Sequence, residues 1–240
     1  QTCALPIFYN NRAFFLVFVI FFFFLSVSYR GYSTGEIYSD SDKKTIKVGF
    51  YENPPKIYKD SKGKINGYHI EIIEEIAKDE NWELVYVEGS WQEGLDRLKK
   101  GEIDIFPDVA YSLERGEEYD FNSETVLLNW AVVYTDSDST VNSITDLNRK
   151  KVATMKNSIH TNGENGIINY AKSFNIQCEF VYAEDYSKCL EMLDKKEVQA
   201  AVVNRLFGLA NQELYDCKRT SIIFNPSHIK FAFTKGALNN

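Results

Sequence analysis

The sequence predicts an α/β fold of two lobes, and three observations predict it. Strand-like and helix-like periodicities alternate along the chain, the β-α-β-α-β alternation breaks and starts again, and each half, of about ninety residues, can bury one sheet. TIKVGFY (45–51) is a strand by its β-branched and aromatic content, and PPKIYKDSKGKING after it holds Pro-Pro and two Gly-centred turns. In YHIEIIEEIAKDE (68–80), Ile70, Ile73, Ile76 and Ala77 recur at helical spacing and predict one buried face. WELVYVE (82–88) alternates as a strand, WQEGLDRLKKGE (91–102) is helical, and IDIFPDVA (103–110) is strand again. Strands alternating with helices in this way build a parallel sheet with helices on its faces.

The second unit opens with the extended run NWAVVYT (129–135) and the polar loop DSDSTVNS. ITDLNRKKVATM (144–155) leads into a strand and GENGIINYAKSF (163–174) into a helix; CEFVYA, YSKCLEMLDKKE, VQAAVVN and RLFGLANQEL follow as strand, helix, strand and helix. SIIFNPSHIKFAFTKG is extended, a strand returning to the first lobe. A helix should pack after it and none follows, so the chain is expected to be a fragment cut at its C-terminus.

The front end is different. From Ala13 to Ser28 the chain reads AFFLVFVIFFFFLSVS without a charge, ~24 Å as a helix against a hydrocarbon core of ~30 Å. It has no polar face to suit a core helix, so it is a secretory signal or an uncleaved membrane anchor, with Ser26 and Ser28 suited to a cleavage site. QTCALPI (1–7) looks like a translated sequencing adapter, which makes Cys3 an artefact. The organisation expected is thus a leader over 1–44 (signal or anchor at 13–28, a Gly/Ser/Asp-rich linker at 31–44), lobe 1 over 45–130, lobe 2 over 131–222 and a truncated return to lobe 1 over 223–240.

Composition excludes several classes. Net charge is −7, and since residues 1–30 hold only Arg12 and Arg30, the body carries 25 basic against 34 acidic residues, which leaves no footprint for nucleic acid. Aromatics at 15% exclude a disordered chain. Cys178, Cys189 and Cys217 are an odd number for an exported protein and allow one disulfide with a free thiol, or none. No Cys/His cluster has metal-ligand spacing, and no cofactor is implied.

Four strings in order, IKVGFYENPPKIYKDSKGKINGYHIEIIEEIAK, LDRLKKGEIDIFPDVAYSLERGEEYDFN, ITDLNRKKVAT and CLEMLDKKEVQAAVVN, carry a resemblance across roughly 45–236. The body resembles solute-binding protein family 3, the amino-acid type of bacterial extracellular binding protein with the type 2 periplasmic-binding (Venus flytrap) fold. ENPPK, SWQEGL and PDVAYSLERGEEYDFN are most similar to versions that serve as sensor domains of membrane signalling proteins. The resemblance implies a small-molecule ligand, a membrane attachment through the N-terminal segment, and an output module such as a kinase or a cyclic-dinucleotide enzyme. It also leaves an ABC permease as partner in a transport role.

A cleft that strips water from a small polar solute must replace its hydrogen bonds and pair its charges. The resemblance places the carboxylate-binding guanidinium on Arg115 in YSLER, against a solvated surface Arg beside Glu114, Glu117 and Glu118. It places an aromatic wall on Trp91, which is otherwise a capped core residue at a helix start. Asn53, Pro54 and Tyr58 lie in the first strand-to-helix loop, which opens onto the ligand crevice of an open α/β sheet, whereas Tyr51 reads equally as core. The resemblance puts Asp108 and Ala110 at positions that contact the ligand in many relatives; Ala110 offers only backbone, and Asp108 suits an ammonium or caps a turn. Ser158, Ile159 through its N–H, and His160 fill the second lobe's turn, MKNSIHTNG, where a helix start favours an anion. Amino-acid binders carry Asp where this chain has Asn204, so a ligand amine loses its charged partner unless Asp108 or Glu184 compensates. Without a nucleophile or an acid–base pair in these strings, catalysis is not expected; a dehydratase on the same fold, using Asp108 and His160, is the enzyme alternative.

Overall fold

The computed structural model describes residues 43–237, so the readings for 1–7, 13–28 and nearly all of the 31–44 linker, with Cys3, lie outside the described residues. Strand β1 (Lys44–Phe50) turns Ile46, Val48 and Phe50 inward and pairs in parallel with β4 (Trp82–Glu88), from Lys44↔Trp82 to Phe50↔Glu88. Between them run the short hairpin of β2 (Tyr58–Lys59) and β3 (Ile65–Asn66) and helix α1 (Tyr68–Asp79). The apolar stripe of α1 comes out as His69, Ile70, Ile73 and Ala77. Ile76, expected on that face, lies at its edge and is 37% exposed.

Helix α2 (Trp91–Lys100) starts at a capping box, with Ser90 and Glu93 satisfying each other's backbone N–H, and stops at Gly101 in the left-handed region (φ 69°). It lies so close to the sheet that a Cβ on Gly94 would stand 2.2 Å from the Phe106 ring. Strand β5 (Ile105–Ala110) is buried at every position, as a strand covered on both faces must be. It is followed by α3 (Leu113–Glu118), capped by Ser112, and by β6 (Tyr119–Phe121).

The second half repeats the pattern. β8 (Lys151–Met155), β9 (Glu179–Ala183) and β10 (Ala200–Asn204) are mutually parallel in the order β10-β8-β9, with α4 (Ile159–Asn162), α5 (Ile167–Ser173), α6 (Tyr186–Asp194) and α7 (Arg205–Asn211) as connections. β7 (Leu127–Asp136) and the long β11 (Cys217–Thr234) run antiparallel between the two halves, giving the sheet order β4-β1-β5-β11-β7-β10-β8-β9, with β6 on β11. The expected lobe boundaries at 130/131 and 222/223 therefore fall inside two hydrogen-bonded strands. β11 shifts register between Arg219 and Ile223 and again between Phe224 and Ser227, where Asn225 has φ 53°.

Each half has its own apolar cluster: Ile46, Val48, Ile73, Ile105 and Phe231 in the first, and Ala131, Val133, Leu147, Val152, Ile167 and Val202 among others in the second. Fully burying one such Val, Leu, Ile or Phe contributes ~1.5–3 kcal/mol. A third cluster runs from Phe50, Trp91 and Phe106 to Tyr134, Leu190 and Phe207, so apolar contact continues from one half to the other. This is a mixed α/β, two-lobed fold. Cys178, Cys189 and Cys217 are all free thiols.

Candidate functional site

The C-terminal ends of β1, β5, β8 and β10 meet where the two halves face each other, and the turns leaving them enclose a cavity of about 30 Å3, room for one or two waters. First-half residues Tyr51, Asn53, Lys56, Trp91, Asp108, Ala110 and Arg115 line one side. Met155, Ser158, Ile159, His160, Tyr186 and Asn204 line the other, with Asn129 and Ile229 from the crossing strands. Nine of the eleven residues expected from sequence stand on this wall; Pro54 and Tyr58 do not.

The reason is local. Asn53 N–H donates to Ile57 O at 2.8 Å and Lys56 N–H to Asn53 O at 3.0 Å, a tight turn that buries Asn53 and Lys56 and leaves Pro54 half-buried and Pro55 exposed. Tyr58 then pairs with Asn66 in the β2–β3 hairpin. Lys56, which sequence reasoning missed, is 3% exposed, and its ammonium lies 2.5 Å and 2.6 Å from the two oxygens of Asp108. A signal was available: a carboxylate in the buried run IFPDVA needs a cation, and ENPPK supplies one in the neighbouring loop.

Asp108 is thus neither an open ammonium site nor a turn cap. Its Oδ2 also accepts from Tyr51 OH and Asn53 Nδ2, each at 2.7 Å, and His69 Nε2 stands 3.3 Å from Oδ1. Burial pushes the Asp108 pKa up, but Lys56 and then His69 outweigh it and hold the carboxyl well below its usual range. Burial, reinforced by Asp108, raises Tyr51 well above an ordinary phenol, so its hydroxyl stays a donor. The residue adopts φ 66°, a left-handed position that Asp tolerates better than most side chains.

Arg115 is partly buried at the lip of the cavity. Its Nη1 donates to Ala110 O at 2.9 Å and its Nη2 to Asn157 O, across the cleft, at 3.2 Å. The guanidinium lies 5.5 Å from the centroid of Trp91, whose ring also packs on Tyr51 and Phe106 at 5.2 Å and 5.4 Å. Trp91 is therefore a core residue behind the Ser90 cap and a platform under Arg115 at once, rather than an open stacking face. Its Nε1 reaches Asn157 O at 3.4 Å, and the Asn157 side chain bonds Gln92. Asn157, at φ 57°, joins the two halves at the mouth of the cleft. Outside it lies a recess of about 400 Å3 that shares Arg115, Ser158 and Ile159 with the inner cavity.

In the second half the turn after β8 forms only the single-turn helix α4, so the dipole argument for an anion there loses its basis. Ser158 Oγ accepts the His160 N–H at 3.2 Å and lies 3.1 Å from Tyr186 OH. His160 is 3% exposed with Nδ1 3.2 Å from Asn225 Nδ2; burial first, then Lys56 and Arg115, lower its pKa to about 3, so it is neutral at pH 7. Asn204 caps α7 by accepting from Phe207 N–H at 3.0 Å, accepts from Asn129 Nδ2 at 3.1 Å, and donates to Asn53 Oδ1 at 3.1 Å across the cleft. Glu184 is exposed and lies off this wall. Among the described residues no His/Cys/Asp/Glu group could hold a metal ion.

Two sheet halves joined by two strands, with a polar cleft at the strand ends, have the two-lobed architecture of a solute-binding protein. Residues 46–169 match the model of the bacterial extracellular solute-binding proteins, family 3, and the chain belongs to that family. Its members are extracytoplasmic. The chain is 23% identical over 212 residues to the L-cystine-binding protein TcyA of Bacillus subtilis, covering 85% of this chain and 75% of that protein. Across the curated relatives it matches, it spans from about half to three quarters of their length. An ancestral arginine-binding protein bound to arginine is similar in structure with a TM-score of 0.72 at 21% identity, covering 82% of this chain and 87% of that one. A histidine kinase sensor domain with similarity to periplasmic binding proteins gives 0.71 at 22%, covering 83% and 86%.

Proposed function

We propose that this chain captures a small polar solute outside the cytoplasm by closing its lobes around it, as the sensor domain of a membrane signalling protein. One observation carries the reading: Arg115 of the first half and the 157–160 turn of the second face the same cavity and touch through the 3.2 Å bond to Asn157 O. A cavity of about 30 Å3 admits a solute only when the lobes part. A solute that bonds both walls then stabilises the closed state by its differential affinity. The lobes themselves do no chemistry. The likeness to a histidine kinase sensor domain and the strings ENPPK, SWQEGL and PDVAYSLERGEEYDFN support the sensor role, with the 13–28 segment as the membrane connection and a kinase or cyclic-dinucleotide enzyme as output. The likeness to the substrate binding protein of an amino acid ABC transporter (TM-score 0.70) supports a second reading, the binding component of such a transporter.

The test is a thermal-shift screen of amino acids and organic acids on the full chain, with small-angle scattering on each hit. A ligand should raise Tm and contract the particle, and Arg115→Ala should abolish both with little change in unliganded stability. Binding that survives Arg115→Ala removes Arg115 from the site; hits without contraction remove the clamp.

A further inference from the structure

The charges on the cavity wall do not balance, and the imbalance bears on the ligand's chemistry. Lys56, Arg115 and Asp108 are the residues there that are charged at pH 7, a sum of +1, because His160 is neutral. Lys56 and Asp108 already satisfy each other in a contact buried on both sides. Arg115 bonds two carbonyl oxygens and no carboxylate among the described residues.

An α-ammonium needs acceptors, preferably a carboxylate. Asp108 is the one carboxylate on the wall, and Lys56, Tyr51 and Asn53 converge on its oxygens. The Asn204 oxygen takes the Phe207 N–H and the Asn129 amide. An incoming ammonium would have to displace Lys56 from a pair that, once split, leaves a buried charge without compensation. A carboxylate meets the opposite situation. Arg115 offers a charged planar fork, and the Lys56 ammonium has three donors, of which two go to Asp108.

Resting on the reading that this cleft holds the ligand, we infer that it takes a small carboxylate lacking an ammonium group: Lys56, fixed on Asp108, fills the place an amine would need, and Arg115 carries the one charge left to neutralise. The clamp on this chain is an organic-acid site within an amino-acid-binding family.

Matched pairs that differ by one amine test this on the full chain in detergent: propionate and L-alanine, glutarate and L-glutamate, 4-methylvalerate and L-leucine, 3-phenylpropionate and L-phenylalanine, each titrated calorimetrically. At least one acid should bind tenfold or more tightly than its amino twin, and Arg115→Ala should remove that binding. Asn204→Asp, which adds a carboxylate to the wall, should narrow the ratio tenfold; Lys56→Met should do the same by freeing Asp108, and Asn204→Asp decides if that variant does not fold. An amino acid that binds more tightly than its deaminated twin overturns the inference and leaves the clamp standing. Acid binding indifferent to Arg115→Ala also overturns it. No binding in either series overturns the inference and the clamp together.

Discussion

Lys56→Met isolates the buried pair at the centre of the site. Met keeps much of the volume of the lysine stem and removes its charge, leaving Asp108 with Tyr51 OH and Asn53 Nδ2 at 2.7 Å and His69 Nε2 at 3.3 Å but without the Lys56 ammonium. Removing one partner of a buried ion pair costs ~3–5 kcal/mol, and the three surviving neighbours, Tyr51, Asn53 and His69, place this case near the lower end. For a domain of this size each kcal/mol lowers Tm by ~2–4 °C, so the expected fall is ~6–12 °C at pH 7. Adding Asp108→Asn removes the stranded charge; Asn tolerates the residue's φ of 66°, and the double variant should recover most of the loss. pH supplies an independent check. The folded pKa of Asp108 lies below its unfolded value of ~3.9, so the pair's contribution is complete above that pH and is lost as pH falls below it. The double variant should therefore lose less stability than wild type on acidification below pH ~4. Urea denaturation of the four proteins of the cycle measures the coupling. Additive effects, or a Lys56→Met Tm within ~1 °C of wild type, would refute the reasoning.

Three further outcomes are expected. Gly94→Ala forces a methyl into the Phe106 ring and should destabilise by ~1–3 kcal/mol in thermal unfolding, whereas an unchanged Tm would mean that α2 sits farther from the sheet. His160, with a folded pKa of about 3 against ~6.5 unfolded, contributes stability that is full above pH ~6.5 and declines as pH falls toward 3; His160→Asn should flatten that part of the stability curve, and an identical pH profile would contradict its burial as a neutral ring. Gln92→Ala removes the side-chain bond to Asn157 across the mouth, worth ~0.5–1.5 kcal/mol, and should shift the open-to-closed ratio ~2–10-fold toward open by interlobe fluorescence transfer; an unmoved ratio denies the contact any part in closure.

The comparison of sequence with structure turns on particular residues. The β-branched and aromatic content of TIKVGFY, the alternation of WELVYVE and the helical spacing of Ile70, Ile73 and Ala77 are local signals, and each appears where it was read, with Ile76 alone of the predicted stripe at its edge. Arg115, Trp91, Asp108 and Asn204 were placed by the resemblance of the motif strings that hold them, and Asn53 because strand ends of an open α/β sheet lead to its cleft; all five line the cavity. Lys56, its pairing with Asp108 and the packing of Arg115 over Trp91 were missed, since a side chain's partner tens of residues away in sequence leaves no periodic trace.

The sequence by itself thus determined the elements, their order and the loops that form the cleft, because backbone propensity and apolar period act over a few residues at a time. Only the tertiary structure decided which groups inside the cleft remain unsatisfied: Asp108 closed off by Lys56, the Asn204 oxygen spent on α7 and Asn129, and Arg115 left facing carbonyls. Burial charges a free-energy cost to every polar group without a partner, and partners are assigned by the packing of whole layers rather than by neighbours in the chain.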